Sequence, residues 1–199
     1  MEVLAAEFLP WEKNLYILTA DGDSNLHVFQ YDHENLRSVS GQRLIHKTSF
    51  HVGHFPISMT RLPSTLSPAV TSINNTNGEA MDVDGVKLAE PLQQVLYTSQ
   101  SGVLLLVTPI DENMYRRLSI IQVYLTNQLE HYCALNPKSY RAVRDEGFAS
   151  RGVLDGALLK RWNELSSLRK AEVCAKVGVD EWVIRSDLEF VGGGGLGYL

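Results

Sequence analysis

The stretch that decides the fold is Tyr97-Thr98-Ser99-Gln100-Ser101-Gly102-Val103-Leu104-Leu105-Leu106-Val107-Thr108-Pro109-Ile110-Asp111-Glu112. Two apolar, β-rich runs meet at Ser101-Gly102, a dipeptide that is typical of a turn. The second run stops at Pro109, and Asp111 then stands where the N-cap of a helix belongs. This stretch therefore predicts a change of architecture, with β-strands before it and α-helices after it.

The residues before this stretch have the pattern of short antiparallel strands separated by turns. Strands are predicted at residues 2–9, 15–20, 26–31 and 43–52, and a hairpin at residues 93–98 and 103–108. Turns are predicted at residues 10–14 and 21–25, and a polar loop at residues 32–41. Three or four short strands in about 50 residues is the rhythm of a β-propeller blade, and about 110 residues make only two or so blades. Another chain segment or a partner must then cover the open strand edges.

Residues 64–89 interrupt the strand pattern. They contain many Ser, Thr, Asn, Gly and Asp residues and few apolar ones. This composition predicts a mobile insertion between strands, and a tolerated loop is favoured over a segment controlled by phosphorylation. The predicted domains are therefore a partial propeller over residues 1–110, which contains the insertion, and a C-terminal helical domain over residues 111–199.

Helical periodicity dominates the second half of the chain. The first predicted helix carries one apolar stripe, Met114, Leu118, Ile121, Leu125, Leu129 and Tyr132, and Asn136-Pro137 is predicted to end it. The second is capped by Asp155 and carries Leu158, Leu159, Trp162 and Leu165. A third carries Ala171, Cys174 and Val177 up to Gly178, and a fourth begins at Asp180 and carries Ile184, Leu188 and Val191. We expect Leu118, Ile121, Leu125 and Trp162 to form the helical core and to dock it on the strands.

Composition narrows the class of protein. The chain has 199 residues and a formal net charge of -5, which argues against a chain that wraps nucleic acid over its whole surface. Cys133 and Cys174 lie far apart and suggest two reduced thiols instead of a disulfide framework. No secretory signal and no membrane-spanning apolar run is found, which predicts a cytosolic or nuclear protein. The start directly inside a strand suggests a piece of a longer protein.

Motifs for catalysis, metals or cofactors are weak in this sequence. His46, His51 and His54 form a small cluster, but residues 46 and 54 share a strand face that residue 51 does not. The acidic run at residues 21–25 is better explained by a β-turn than by a calcium loop. The glycine run at residues 192–197 opens no helix, as a phosphate-binding loop would. A hydrolase assembled in space remains an alternative, which a cleft gathering His46, His51 or Asp residues would favour.

The helical half contains scattered basic residues, some of them beside tyrosines. The candidates for contact with RNA or an acidic partner are Arg116, Arg117, Arg141, Lys160 and Arg161. Arg144, Arg169 and Lys170 belong to the same group of cations. The alternative interpretation is a solvated charged face.

Several stretches together resemble a known family, the large subunit of the cleavage and polyadenylation specificity factor. They are residues 3–9, 15–28, 101–104, 115–118, 135–141, 151–156 and 162–165. The resemblance covers nearly the whole chain except the insertion. The short pattern around Asp155-Gly156 is also similar to relatives, namely the large subunit of damaged-DNA-binding protein and a propeller subunit of splicing factor 3b.

The resemblance implies three β-propellers followed by a helical domain, with residues 1–110 as the last blades. It implies a nuclear, non-enzymatic scaffold in pre-mRNA cleavage and polyadenylation. Its implied partners are a WD-repeat subunit and a zinc-finger subunit that touch the RNA signal, so that pre-mRNA is reached indirectly and no cofactor is needed. A propeller adaptor of a ubiquitin ligase or DNA-repair complex is the alternative that co-purified partners would distinguish.

Overall fold

The computed structural model describes residues 2–63, 93–143 and 152–192. The predicted insertion at residues 64–89, Arg144 and most of the glycine run lie outside the described residues. Seven strands are described: β1 Val3–Trp11, β2 Asn14–Asp21, β3 Asn25–Tyr31, β4 Ile45–His51, β5 Pro56–Pro63, β6 Gln93–Ser99 and β7 Leu104–Val107. The described α-helices are α1 Glu112–Gln128, α2 Pro137–Tyr140, α3 Gly156–Lys160, α4 Ser167–Val177 and α5 Glu181–Val191. Short 3-10 turns occupy Leu36–Ser38, Tyr132–Ala134 and Arg161–Glu164. The predicted combination of antiparallel strands and helices is confirmed.

The strands form two antiparallel sheets, each built from consecutive strands. The first has the order β1-β2-β3-β4 and the second the order β5-β6-β7. In the first sheet, Leu9 pairs with Tyr16 and Ile17 with Phe29. In the second, Tyr97 pairs with Leu105 across the predicted hairpin. The two sheets meet where β1 packs against β5.

Two predictions about strands were wrong or incomplete, and proline explains both. The predicted turn at residues 10–14 is too long, because Pro10 and Trp11 still pair with Leu15 and Asn14. Pro10 is tolerated because β1 is an edge strand, where a missing N–H need not break the ladder. Strand β5 was not predicted, because Pro56 and Pro63 at its ends look like strand breakers. They fit because β5 is also an edge strand.

The core of the sheet half lies between the two sheets. Its buried members are Leu9, Leu18, Ala20, Leu26, Val52, Met59, Val95 and Tyr97. They come from both sheets, so burial of their side chains holds the sheets together. The buried Tyr97 hydroxyl donates to the carbonyl of His54, which ties β6 to the chain between β4 and β5.

Helix α1 begins as predicted but ends sooner. The Asp111 carboxylate accepts a hydrogen bond from the Met114 N–H, which is an N-cap. The helix ends at Gln128, and Tyr132 lies in a 3-10 turn with 68% of its surface exposed, so its place in the buried stripe was wrong. Asn136 does not end α1 but caps α2, with Pro137 at the first helical position, where its missing N–H costs nothing.

The helical core confirms most of the remaining pattern. Its buried members are Leu118, Ile121, Leu125, Leu158, Leu159, Trp162, Leu165, Val173 and Ile184. Asp155 caps α3, and Gly178 ends α4 in the left-handed conformation. Asp180 precedes α5 as predicted, but its carboxylate makes no capping hydrogen bond to the helix. Among the described residues no helix is long and apolar enough to cross a membrane.

Candidate interaction site

The junction between the strands and the helices is centred on Arg141, which follows α2. Its Nη1 atom donates to the carbonyl oxygens of His51 (3.1 Å) and Val52 (2.9 Å), at the end of β4. In the reverse direction the His51 N–H donates to the Arg141 carbonyl, over 3.0 Å. Arg141 therefore joins the chain after α2 to the sheet through both its backbone and its side chain.

Asp155 connects Arg141 to the helices of the second half. Its Oδ2 atom accepts from Arg141 Nε over 2.7 Å, while its Oδ1 atom accepts from the Ala157 N–H at the start of α3. The Asp155 N–H donates to the Gln122 side chain of α1 over 2.7 Å. The side chains of Arg141 and Asp155 are 20% and 12% exposed, so the ion pair is largely shielded from water. Asp155 thus contacts α1 through its backbone N–H, and through its carboxylate it contacts α3 and, by way of Arg141, the end of β4.

Aromatic rings surround the Arg141 guanidinium. It lies 5.0 Å from the ring centres of both Phe50 and Tyr140, a distance suited to cation–π attraction. The Tyr140 ring meets His51 edge to face. Gly53 permits this approach, because a Cβ atom there would overlap the Tyr140 hydroxyl and its φ of +80° is unfavourable for other residues. The junction consequently depends on packing as well as charge.

A chain of polar contacts connects the junction to the turn before β3. His51 Nδ1 lies 2.9 Å from Asn25 Oδ1, and Asn25 donates both its backbone and side-chain N–H groups to Asp21. Asp21 also contacts His27 Nε2 at 3.0 Å. Burial alone raises the pKa of the Asp21 carboxyl, but hydrogen bonds from His27 and Asn25 outweigh it and hold that pKa below its ordinary value.

This network has the composition of a hydrolase triad but not its accessibility. His27 Nδ1 lies 2.7 Å from the Ser49 hydroxyl, which also contacts His46 Nε2 at 2.8 Å. Ser49 is only 2% exposed, so its hydroxyl is shielded from solvent in this structure. Neither Ser49, His27 nor Asp21 is among the residues that line the large cleft described next. The geometry fits a structural network that fixes the strand ends.

A cleft of about 1520 Å³ lies between the two sheets and the helices. Its walls include Phe50 from β4, Leu105 from β7 and Leu188 from α5. Arg141 and Asp155 of the junction also line it. The cleft is mostly apolar, with charged groups at some positions, which suits an extended peptide segment better than a polar substrate.

The other predicted contact residues are divided between internal ion pairs and the surface. Arg117 makes two hydrogen bonds to Asp187 of α5, at 2.8 and 2.9 Å, and these bonds raise the pKa of its guanidinium. Arg116 pairs with Glu112 one turn earlier, and both are exposed. Lys160, at the end of α3, is exposed and lies on the cleft wall.

Arg161 is held by a second local cluster. It contacts both oxygens of Glu164, donates to the Glu130 carbonyl and lies 4.2 Å from the Tyr132 ring centre. Its hydrogen bond lowers the pKa of the Glu164 carboxyl, helped by the Tyr132 hydroxyl. Arg161 thereby joins the turn after α1 to the turn after α3.

Sequence reasoning did not identify the partners of Arg141 at the junction. The capping pattern Asn136-Pro137 was a usable signal for α2, and it was misinterpreted as a helix end. Nothing in the sequence indicates that Arg141 meets His51 across 90 positions, because that contact arises only from the packing of the two halves.

Comparison with known proteins supports one family. The family described as CPSF A subunit region matches residues 1–164. Protein cft1 of Aspergillus niger is 49% identical over 199 residues, which is 100% of this chain and 14% of that relative. Protein cft1 of Neurospora crassa is 37% identical over 190 residues, covering 89% of this chain and 12% of the relative. Protein cft1 of Schizosaccharomyces pombe is 36% identical over 191 residues, which is 94% of this chain and 12% of that relative.

The chain thus spans about one seventh of the length of the curated relatives that it matches, at 14% of the first of them. The matches confirm the resemblance to the large subunit of the cleavage and polyadenylation specificity factor, which the sequence motifs had indicated. The chain belongs to the CPSF A subunit family.

Proposed function

We propose that the chain is part of a nuclear, non-enzymatic scaffold of the machinery that cleaves and polyadenylates pre-mRNA. The observation that carries this proposal is the match of residues 1–164 to the family described as CPSF A subunit region. The geometry agrees with a scaffold, because Asp21, Arg141 and Asp155 are engaged in internal contacts that join elements. A scaffold needs fixed geometry between its parts, and these contacts supply it.

We further propose that the two sheets are the last blades of a β-propeller and that the helices form a C-terminal domain docked on it. Consecutive antiparallel strands within each sheet, with β1 packed against β5, support this arrangement. Propeller blades are four-stranded antiparallel sheets packed around a centre. The first sheet has this number of strands, and the second has three among the described residues. The Arg141 junction is then the connection between propeller and helical domain.

The partners proposed are the WD-repeat and zinc-finger subunits of the same machinery, through which pre-mRNA is contacted indirectly. Arg117, Arg141 and Arg161 make hydrogen-bonded ion pairs with carboxylates. Engaged cations attract phosphate weakly, because their partner carboxylate offsets the field. Any direct contact with RNA or an acidic partner therefore falls mainly to exposed Lys160 and to Arg116, whose pair with Glu112 is exposed and therefore weakened by solvent screening.

The test is affinity purification of the full-length protein from cells, followed by mass spectrometry and RNA crosslinking. We expect polyadenylation factors to co-purify, and Arg116→Glu with Lys160→Glu to reduce partner or RNA recovery. The matched control is Arg185→Glu with Lys138→Glu, which makes the same charge change at two other exposed cations, and Arg185 also pairs with a glutamate one helical turn earlier.

Two outcomes would contradict the proposal. Recovery of a cullin in place of polyadenylation factors would support the ubiquitin-ligase adaptor. Equal RNA crosslinking of the test and control variants would show that Arg116 and Lys160 are not contact residues. The scaffold role would then be judged only by which proteins co-purify.

A further inference from the structure

The end of strand β4 lies between the turn at residues 21–25 and the helical half, and it is hydrogen-bonded to both. On the side of the turn, the Val52 N–H donates to the Ser24 carbonyl over 2.9 Å, and the Gly53 N–H donates to the same oxygen over 3.4 Å. On the helical side, the Val52 carbonyl accepts from Arg141 Nη1 over 2.9 Å. Val52 is buried, so both of its backbone polar groups depend on these contacts instead of on water.

A second route between the same two parts of the chain runs through side chains. Because Asn25 Nδ2 donates to Asp21 Oδ2 over 3.1 Å, its Oδ1 atom is the acceptor for His51 Nδ1 at 2.9 Å. His51 and Arg141 then exchange hydrogen bonds, because the His51 N–H donates to the Arg141 carbonyl and the His51 carbonyl accepts from Arg141 Nη1. The side-chain route is therefore continuous from the carboxylate in the turn to the arginine that follows α2.

From Arg141 the contacts continue to the first turn of α3. Arg141 Nε donates to Asp155 Oδ2, and Asp155 Oδ1 accepts from the N–H groups of Ala157 and Leu158, at 3.0 and 3.4 Å. These two N–H groups are among the four at the start of a helix that have no partner within the helix, so the Asp155 carboxylate protects them. Their access to solvent therefore reports on the position of Asp155.

We propose that the turn at residues 21–25 and the start of α3 are energetically coupled through the end of β4, so that the turn helps to hold the helices in place. Both ends of the route fix the same short segment, residues 51–52, and loss of either end loosens this segment and reduces what the other contributes. The two states are a closed junction and a locally opened one, in which α3 and the chain after α2 release β4. The coupling rests on contacts within the described residues and not on an open surface or strand edge.

Hydrogen–deuterium exchange of the full-length protein tests this coupling at the amides of residues 157 and 158. Asn25→Ala removes the middle of the side-chain route, and we expect it to speed exchange of those amides by about threefold to tenfold, the factor that corresponds to the loss of one hydrogen bond. The matched control is Asn14→Ala, which removes a side-chain hydrogen bond at the opposite end of the β2–β3 pair. The control should leave exchange of the α3 amides unchanged, because that end of the pair lies away from the junction.

The coupling must also act in the reverse direction, because an energetic coupling between two sites is reciprocal. Arg141→Ala is expected to speed exchange of the Asn25 amide by a similar factor, although this amide donates to the Asp21 carboxylate inside the turn, over 2.8 Å. The matched control is Arg117→Ala, which removes another shielded ion pair of the helical half, to Asp187 of α5. This control should leave exchange of the turn amide unchanged.

A double variant with Asn25→Ala and Arg141→Ala distinguishes coupling from two independent effects. Because the two residues act on the same segment, the double variant should speed exchange of the α3 amides by less than the product of the two single factors. Exchange of strand β6 is the reference for folding. Unchanged α3 exchange in Asn25→Ala, a double effect equal to the product, or an increase in β6 as large as that in α3 would each overturn the proposal.

Discussion

Replacement of Arg141 by alanine should destabilise the protein more than any exposed arginine replacement. Removing one member of a buried ion pair costs about 3–5 kcal/mol, because the other charge stays buried and unpaired. Here the cost is lower for two reasons. The Arg141 and Asp155 side chains are 20% and 12% exposed, and without Arg141 the Asp155 carboxylate would still accept hydrogen bonds from the N–H groups at the start of α3. Loss of the donations to the carbonyls of His51 and Val52 adds about 0.5–1.5 kcal/mol each.

The sum of these contributions gives about 3 kcal/mol for Arg141→Ala after allowance for solvent screening. For a chain of this size each kcal/mol lowers the melting temperature by about 2–4 °C, so the expected decrease is about 6–12 °C. Arg141→Lys should give an intermediate value. Lysine keeps the charge, but one ammonium cannot reproduce the separate Nε and Nη1 hydrogen bonds.

Thermal unfolding followed by circular dichroism and calorimetry measures these differences. The control is Arg116→Ala, whose exposed pair with Glu112 one helical turn away contributes about 0.3–0.5 kcal/mol. If Arg141→Ala and Arg116→Ala melt at the same temperature, the junction does not stabilise the fold and the reasoning from its contacts is refuted.

Three further predictions concern the core, the junction and the pH dependence. Trp162→Ala should cost about 3–5 kcal/mol because the side chain is fully buried, whereas exposed Trp182→Ala should cost under about 0.5 kcal/mol; urea unfolding compares them. Gly53→Ala should lower the melting temperature more than Gly102→Ala, because both have positive φ but only Gly53 faces a tyrosine hydroxyl; equal decreases would argue against that close packing. Because the pKa of Asp21 is lowered on folding, its stabilising contribution is present above its ordinary value of 3.8 and lost as the pH falls through its folded-state value. Asp21→Asn should therefore flatten the acid limb of the stability curve, measured by urea titration between about pH 2 and 5.

The strands and helices were largely predictable because their periodicity is local. The β6–β7 hairpin and the Asp111 cap followed from turn and capping residues a few positions apart. The errors arose where tertiary position decides the outcome. Pro10 and the two prolines of β5 look like breaks unless one knows that their strands lie at sheet edges, and edge position is a property of the assembled sheet.

The candidate site was much less predictable. The sequence singled out Arg141 as one of several basic residues that could contact RNA or a partner. Its actual partners, the Asp155 carboxylate and the His51 carbonyl, lie 14 and 90 positions away in the chain and could not be predicted from local pattern. Contact with RNA or a partner by the five basic residues stays a prediction. The cleft was not anticipated, since a cavity is formed by the relative placement of sheets and helices and leaves no periodic signal.

The three ion pairs that involve Arg117, Arg141 and Arg161 differ in what they connect. The first joins α1 to α5, and the second joins the chain after α2 to the cap of α3. The third lies within the turn after α3 and orients Arg161, whose Nη1 atom donates to the Glu130 carbonyl after α1. The pairs of Arg117 and Arg141 are shielded from water, and such pairs add little net stability over apolar packing of the same shape, but a misplaced charge is costly, so they select one arrangement over similar ones. The apolar helical core alone permits small sliding of helices, whereas a bidentate pair with fixed directions, such as Arg117 with Asp187, does not. The scaffold role proposed above requires this kind of specificity, and the pairs of Arg117 and Arg141 supply it between separate elements of the helical half.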